Sequence, residues 1–274
     1  ARDNTFAKAV EVFMKEHVAN LRPGTALQYK YALQGADTAP WRDRPITSIT
    51  KADIRALLAG MKERDVTIGA NRTLAYLKKF FNWCAEEDLI EVPPTITVKK
   101  PHAELPRARV LADGELVEIW TGTAALALRP RLALRALLLT SQRRGEVAGM
   151  SWQELEGLGT DEPVWCLPAE RTKNKRAHRV PLAPGMVELT EAAREQAAGA
   201  YVFGAGDKPL WLGGKLKQQL DAAITANRLA AGVAESMPHW TFHDLRRTAA
   251  TNMHETLNVE PHVVEAVLNH YSGH

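Results

Sequence analysis

The sequence predicts a mainly α-helical protein of two domains, the second carrying a small antiparallel sheet. Three observations point there. Apolar residues recur at spacings of three and four over most of the chain, the pattern of helices with one buried face. Short strand-like runs are confined to Val164-Trp165-Cys166-Leu167 and His178-Arg179-Val180-Pro181-Leu182. Residues 93–109 hold four prolines among several charges and read as a linker, giving a helical domain over 1–92 and a second domain over 110–274.

The first domain reads as a small bundle. Thr5 is a natural cap for a helix with Phe6, Ala9, Val10 and Phe13 on one face. Pro23 suits the first turn of a second helix through Leu27, Tyr31 and Leu33. A loop with Gly35, Pro40 and Pro45 follows. Thr50 with Asp53 is a relative of the capping box and opens a helix over Ile54, Leu57, Leu58 and Met61. The longest helix runs from about Gly69 to Glu87, with Leu74, Leu77, Phe80, Phe81 and Cys84 as its apolar stripe, and Pro93-Pro94 ends the domain. In the second domain, helices are predicted near 113–123 and 131–140. The two strands follow, bridged by a basic turn, and then helices near 185–198, 213–229, 241–255 and 260–269.

Composition narrows the function. The chain has 274 residues, 45% apolar and 24% charged, which suits a globular protein with a real core. Its two cysteines, Cys84 and Cys166, lack any CxxC spacing, so a disulfide scaffold is excluded and a reducing compartment is indicated. No run approaches a membrane span, and no signal pattern opens the chain, so a soluble cytosolic protein is expected. The first residue is Ala, which suggests a processed chain or an excised fragment. The net charge is only +3, but residues 1–100 carry 16 Lys and Arg against 12 Asp and Glu. Arg171, Lys173, Lys175, Arg176 and Arg179 also crowd nine residues with no acid among them. Such a run is either a solvated turn or a contact for a polyanion.

Three local signals carry the chemistry. Arg143 and Glu146, three apart after an apolar helix, can share a face and an ion pair, which by itself is an ordinary surface arrangement. Lys173 sits in the basic turn. Thr241 with Asp244 marks a helix start that places His243 and Arg246 on one face. A zinc site is not expected, since Thr241 as cap leaves His239 outside the helix and no cysteine pair or HExxH accompanies it. There is no nucleophile elbow, Gly-rich phosphate loop or paired-carboxylate motif either. What remains is cationic. Its natural ligand is an anion, and phosphoryl groups in transfer are stabilised by such clamps.

Arg143 with Glu146, Lys173 in its hairpin, His243-Asp244-Leu245-Arg246 and Leu268-Asn269-His270 together resemble the tyrosine recombinases, above all the integrases of temperate phages and genomic islands. The run from Trp165 to Leu182, with Lys173-Asn174-Lys175 ahead of His178-Arg179-Val180-Pro181-Leu182, is similar to the island-integrase version. Pro23 and Phe80-Phe81-Asn82-Trp83 resemble the family's core-type DNA-binding domain, so the likeness covers nearly all of the chain.

The resemblance implies a SAM-like helical bundle followed by a mixed α/β catalytic domain. It implies a recombinase that cuts and rejoins duplex DNA through a 3′-phosphotyrosyl intermediate. Arg143 and Arg246 would grip the non-bridging oxygens of the scissile phosphate, held by the planar fork of arginine. Lys173, reaching in from a flexible hairpin, would protonate the leaving 5′ oxygen; it is preferred to Lys175 because it stands eight residues before Pro181. Arg143 matches the motif position better than Arg144. His243 would assist proton transfer, His270 would donate a hydrogen bond, and Glu146 would orient Arg143. Lys78, Lys79, Arg144, Arg171, Lys175 and Arg176 are the expected DNA contacts. No cofactor and no metal is expected. The implied partners are double-stranded attachment sites, a homotetramer on DNA and DNA-bending accessory proteins, with no membrane, in a bacterial cytoplasm close to the nucleoid.

The likeness departs at two places. Ser141 stands where the family has glycine, and the turn is expected to survive. The family's nucleophile is a tyrosine on a helix beyond the second histidine, whereas here Tyr271 shares the turn with His270 and the sequence ends at His274. Tyr29, Tyr31, Tyr76 and Tyr201 match no such motif. The expectation is therefore a chain cut short before its nucleophile, without the family's arm-site domain. It would bind DNA, assemble poorly and form no covalent adduct. The alternative from another class is a non-catalytic DNA-binding regulator derived from a recombinase.

Overall fold

The computed structural model describes residues 4–104 and 108–270, and the chain divides into two compact units, Ala1–Pro106 and Arg107–His274. The first unit is built on α1 (Phe6–Phe13), α2 (Pro23–Gln34), α3 (Lys51–Glu63) and α4 (Thr67–Glu86). Thr5 Oγ1 accepts from the Lys8 N–H at 3.3 Å and starts α1, whose Phe6, Ala9, Val10 and Phe13 are all buried. The helix then widens into a π turn over Met14–Val18. At the start of α3 the cap is reciprocal. Thr50 Oγ1 accepts from the Asp53 N–H (3.3 Å), and Asp53 Oδ2 accepts from the Thr50 N–H (2.8 Å). Arg44 braces the same carboxylate at 2.7 Å, and that bond, with those from Thr50, holds Asp53 well below the usual carboxylate range.

α4 supplies the floor of the core. Phe80 meets Phe6 and Phe13 edge-on, both at 5.4 Å between ring centroids, and Trp83 lies 5.3 Å from Phe13. Such pairs add about 1 kcal/mol each beyond the area they bury. Cys84 lies in this core, and burial pushes its thiol up to about 12, which leaves it unreactive. The segment read as a loop with Gly35, Pro40 and Pro45 instead forms two 3₁₀ turns, Ala36–Trp41 and Ile46–Ser48, which plug Trp41 and Ile46 into the core. Turns this short carry no 3.6-residue period to read. Residues 93–104, part of the proline-rich stretch, pack on this unit: Val98 joins its core. Buried Asn71 donates to the His102 carbonyl (2.8 Å) and accepts from the His102 N–H (3.2 Å).

The second unit contains α5 (Asp113–Gly122), α6 (Leu128–Thr140), α7 (Arg144–Ala148), α8 (Pro184–Arg194), α9 (Gly214–Ala230), α10 (Phe242–Thr251) and α11 (Pro261–Val267). Its sheet is β1 (Leu155–Glu156), β2 (Val164–Leu167) and β3 (His178–Pro181), antiparallel in that order. β2 and β3 pair with Trp165 opposite Val180 and Leu167 opposite His178. Trp165 and Leu167, two apart, turn the same face into the core, as a half-buried strand must. α5 packs so tightly on α9 that a Cβ at Gly122 would lie 2.8 Å from Ile224. α7 and β1 were not expected from sequence, being five and two residues long. The helix expected over 241–255 ends as α at Thr251 and continues as a π turn, Asn252–Thr256. Among the described residues, no helix is long and apolar enough to cross a membrane.

Candidate functional site

The site is assembled in the second unit from the ends of α6, α7, α10 and α11 and the β2–β3 turn. α6 stops at Ser141, which adopts the left-handed conformation (φ 53°, ψ 19°). That conformation costs a serine about 1 kcal/mol relative to glycine. Arg246 Nη1 donates to the Ser141 carbonyl at 3.0 Å and helps to hold the turn. Two residues on, Arg143 caps α7. Its backbone N–H donates to Glu146 Oε2 (3.1 Å) and its Nη1 to Glu146 Oε1 (3.0 Å). Glu146 is only 4% exposed, so its carboxylate is an internal counter-charge rather than a surface partner.

α10 brings the second arginine. Asp244, fully buried, accepts from the Thr241 N–H (2.8 Å) and hydroxyl (2.9 Å), which fixes the first helical turn. His243 is then exposed and Arg246 is 4% exposed. Arg246 Nη2 donates to the Leu268 carbonyl. Burial, then the charge of Arg143, pushes the Arg246 guanidinium down to about 10. It stays charged at neutral pH, poorly hydrated beside another cation.

The turn between β2 and β3 carries Lys173. Thr172, buried beneath it, accepts from the Arg176 N–H (3.0 Å) and donates to the Arg176 carbonyl (2.8 Å), while Lys175 takes φ 57°. The hairpin expected to be flexible is thus braced on both flanks of Lys173. Lys173, Arg143, Arg144, His243 and Arg246 line one cavity of ≈ 420 Å³, and no carboxylate shares that lining. His270 is exposed nearby, within electrostatic reach of Arg246, Arg143 and His243. Burial, reinforced by these arginines, lowers the pKa of both His243 and His270 from the ordinary 6.5.

Several residues that hold the site were not singled out from sequence. Gln142 Nε2 (2.9 Å) and His178 Nε2 (3.2 Å) both donate to the Val267 carbonyl, and Arg143 Nη2 donates to that of Asn269 (3.1 Å). With Leu268, the carbonyls that end α11 are therefore met by donors from the site. Burial lowers the pKa of His178 as well.

Other expected contacts fall differently. Arg144 is exposed at the cavity; Lys175 and Arg176 are exposed on the turn but do not line it. Arg171 is engaged inside the fold. Its Nη1 pairs with Glu154, which also accepts from Trp165 Nε1 (2.9 Å), and its Nη2 donates to the Glu146 carbonyl (2.7 Å). The approach needs Gly149, where a Cβ would sit 2.8 Å from Arg171 Nη2. In the first unit, Lys78 is half-buried and Lys79 exposed on α4. Tyr271 lies outside the described residues, and none of the described tyrosines lines the cavity.

The first unit holds its own cationic groove, of ≈ 530 Å³, lined by Lys51, Arg55, Lys62, Lys99 and Lys100 with no acid in the lining. The signal was present in sequence: Lys51, Arg55 and Lys62 stand at i, i+4 and i+11 and so share one face of α3. Among the described residues, no group of three or more His, Cys, Asp and Glu could hold a metal ion.

Residues 109–274 match the Phage integrase family. Over 97% of its length the chain is 26% identical to the prophage integrase IntZ of Escherichia coli strain K12, and it spans 63% of that relative, under two thirds. Among solved structures, a lambda integrase dimer bound to a COC' core site matches with a TM-score of 0.73 at 20% identity, over 98% of this chain and 75% of that one. A lambda integrase tetramer bound to a Holliday junction matches with a TM-score of 0.73 at 19% identity, over 98% and 78%.

Proposed function

This chain belongs to the phage integrase family, and we propose on that premise that it serves site-specific recombination of duplex DNA, with its second unit gripping the scissile phosphate. One observation carries the reading: Arg143, Arg144, Arg246, Lys173 and His243 line a single cavity with no carboxylate in its lining. Arg143 and Arg246 would hold the two non-bridging oxygens with the N–H groups not spent on Glu146 and the backbone. A tyrosine oxygen would attack phosphorus, its proton passing to neutral His243, as the bond to the 5′ oxygen breaks and Lys173 gives that oxygen a proton. Glu146 would orient Arg143, and His270 would donate to a phosphate oxygen. The lambda integrase dimer and tetramer on DNA suggest the same assembly here, on two duplex sites in a bacterial cytoplasm. The first unit would follow the duplex backbone with its Lys51–Lys100 groove, and Lys78 and Lys79 would add contacts from α4.

A non-catalytic DNA-binding role is favoured by one observation, the absence of any described tyrosine from the cavity. On that reading the 274 residues hold DNA without a covalent bond. A phosphotyrosyl band on a denaturing gel, after incubation with nicked duplex, refutes it.

Binding itself is tested by salt dependence. Lys173→Ala, Arg144→Ala, Lys51→Ala and Arg55→Ala are each expected to lower the slope of log affinity against log salt by about 0.9, one phosphate contact apiece. These four side chains, and not the deeper Arg143 and Arg246, are tested this way because exposed residues can be removed without unfolding the chain. Slopes equal to the parent's for both cavity and groove variants would refute the reading.

Proton linkage gives a second expectation. His243 and His270 are lowered chiefly by burial, so in the free protein they are neutral near pH 7 and charge only below 6.5. A bound phosphate would raise both, so binding would take up protons and affinity is expected to rise as pH falls toward and below 6.5. Stability of the free protein moves the opposite way. The unfolded chain binds these protons first, so stability is full above 6.5 and is lost as pH falls below it. Titration of the histidine ring resonances with and without duplex measures both; unshifted histidines on binding would place the phosphate elsewhere.

A further inference from the structure

The turn that presents Lys173 is tied to the turn that presents His270. Asn174 Nδ2 donates to Asn269 Oδ1 at 2.6 Å and to the Asn269 carbonyl at 3.2 Å. Each asparagine is the chain neighbour of an exposed basic side chain: Asn174 follows Lys173, and Asn269 precedes His270. The same Asn269 carbonyl accepts from Arg143 Nη2 at 3.1 Å, so this one residue, 3% exposed, meets both the Lys173 turn and the start of α7.

Both asparagines are locally fixed. Asn269 takes φ 47°, a conformation that asparagine tolerates better than most side chains. Its own Nδ2 is buried without a partner among the described residues, so the bonds it accepts orient its amide. Asn174 Oδ1 accepts from the Arg176 N–H at 3.3 Å, a donor shared with Thr172 Oγ1 at 3.0 Å, which anchors it to its own turn. A lysine side chain has many rotamers, so where its amine can dwell is decided by where its backbone is held.

We propose that Asn174 is a positioning residue: it docks the Lys173 turn on Asn269, so that the Lys173 amine, the Arg143 guanidinium and the His270 ring surround the phosphate as one piece. The inference rests on the cavity being a phosphate site. It makes Lys173 placement depend on the end of α11, across a sequence separation of 95 residues.

The test maps lysine reactivity toward a small acylating reagent by mass spectrometry, with and without a short duplex at low salt, beside melting temperature. In the parent protein the duplex shields Lys173. In Asn174→Ala that shielding falls about five-fold, the scale of one ordinary hydrogen bond, while shielding of Lys51 and Lys99 and the melting temperature stay near the parent's. Should alanine loosen the whole turn, Asn174→Leu removes the donor at nearly constant size and is judged by the same readout. Parent-like shielding of Lys173 in either Asn174 variant overturns the proposal, as does loss of shielding at every lysine together with a lowered melting temperature, the mark of a merely structural role. A duplex that shields Lys51 and Lys99 but not Lys173 in the parent overturns the phosphate-site reading itself, a different result from either.

Discussion

Arg246→Lys is expected to remove both phosphate binding in the cavity and a substantial part of the second unit's stability. Arg246 is 4% exposed and spans two backbone carbonyls, those of Ser141 and Leu268, on opposite sides of its fork. A lysine keeps the charge but presents one compact ammonium that cannot reach both. At least one buried carbonyl is then left unpaired beside a desolvated charge, a loss of about 2–4 kcal/mol. For a unit of this size that lowers the melting temperature by roughly 5–15 °C. The lost second oxygen contact should weaken duplex binding at least tenfold, about 1.4 kcal/mol or more. Calorimetry and a binding titration on the same preparation check both effects. A lysine variant that melts and binds like the parent would show that the fork is not used.

Glu146→Gln is expected to separate the two properties that Arg246→Lys joins. Glu146 is the buried carboxylate nearest the arginine pair, and it bonds both the backbone and the guanidinium of Arg143. Glutamine keeps the shape and discards the charge, which leaves Arg143 and Arg246 repelling each other without the carboxylate that pairs with Arg143. Breaking a buried pair in this way costs about 3 kcal/mol of stability. The same uncompensated charge favours an incoming phosphate, so duplex affinity should rise about five-fold, near 1 kcal/mol. The stabilisation conferred by saturating duplex should then exceed the parent's. Affinity that falls in step with stability would mean that Glu146 acts only by holding Arg143 in place.

The helices with a clean apolar stripe were legible from sequence. The α1 and α3 caps at Thr5 and Thr50, and the α4 stripe from Leu74 to Cys84, follow from local spacing alone and reappear in the structure. β2 and β3 were legible because a basic turn separates two apolar runs. α7 and β1 were not, since elements of five and two residues are too short to display a period. The site divides the same way. Arg143, Lys173, His243 and Arg246 stand out through their motifs, and the structure gathers them around one cavity. Their supports do not stand out. Gln142 meets Val267 across 125 residues and Asn71 meets His102 across 31, and no local pattern encodes a contact at that separation. Arg171 was misleading for a related reason: within its run it looks like the other surface cations, and only folding shows that Glu154 and the Glu146 carbonyl have claimed it.

The way α11 closes the site has a consequence for the order in which the protein is made. The carbonyls of Val267, Leu268 and Asn269, which receive Gln142, Arg246 and Arg143, belong to the last described residues of the chain. Translation delivers domains from the N-terminus at roughly 5–20 residues per second, and they generally fold as units. The first unit's core is complete once Val98 is made, and its cationic groove once Lys100 is made. On the proposed function, a nascent chain would therefore have its backbone-tracking surface long before it has a phosphate clamp. For the seconds in between, it would rest on nucleic acid without holding any one phosphate in the cavity.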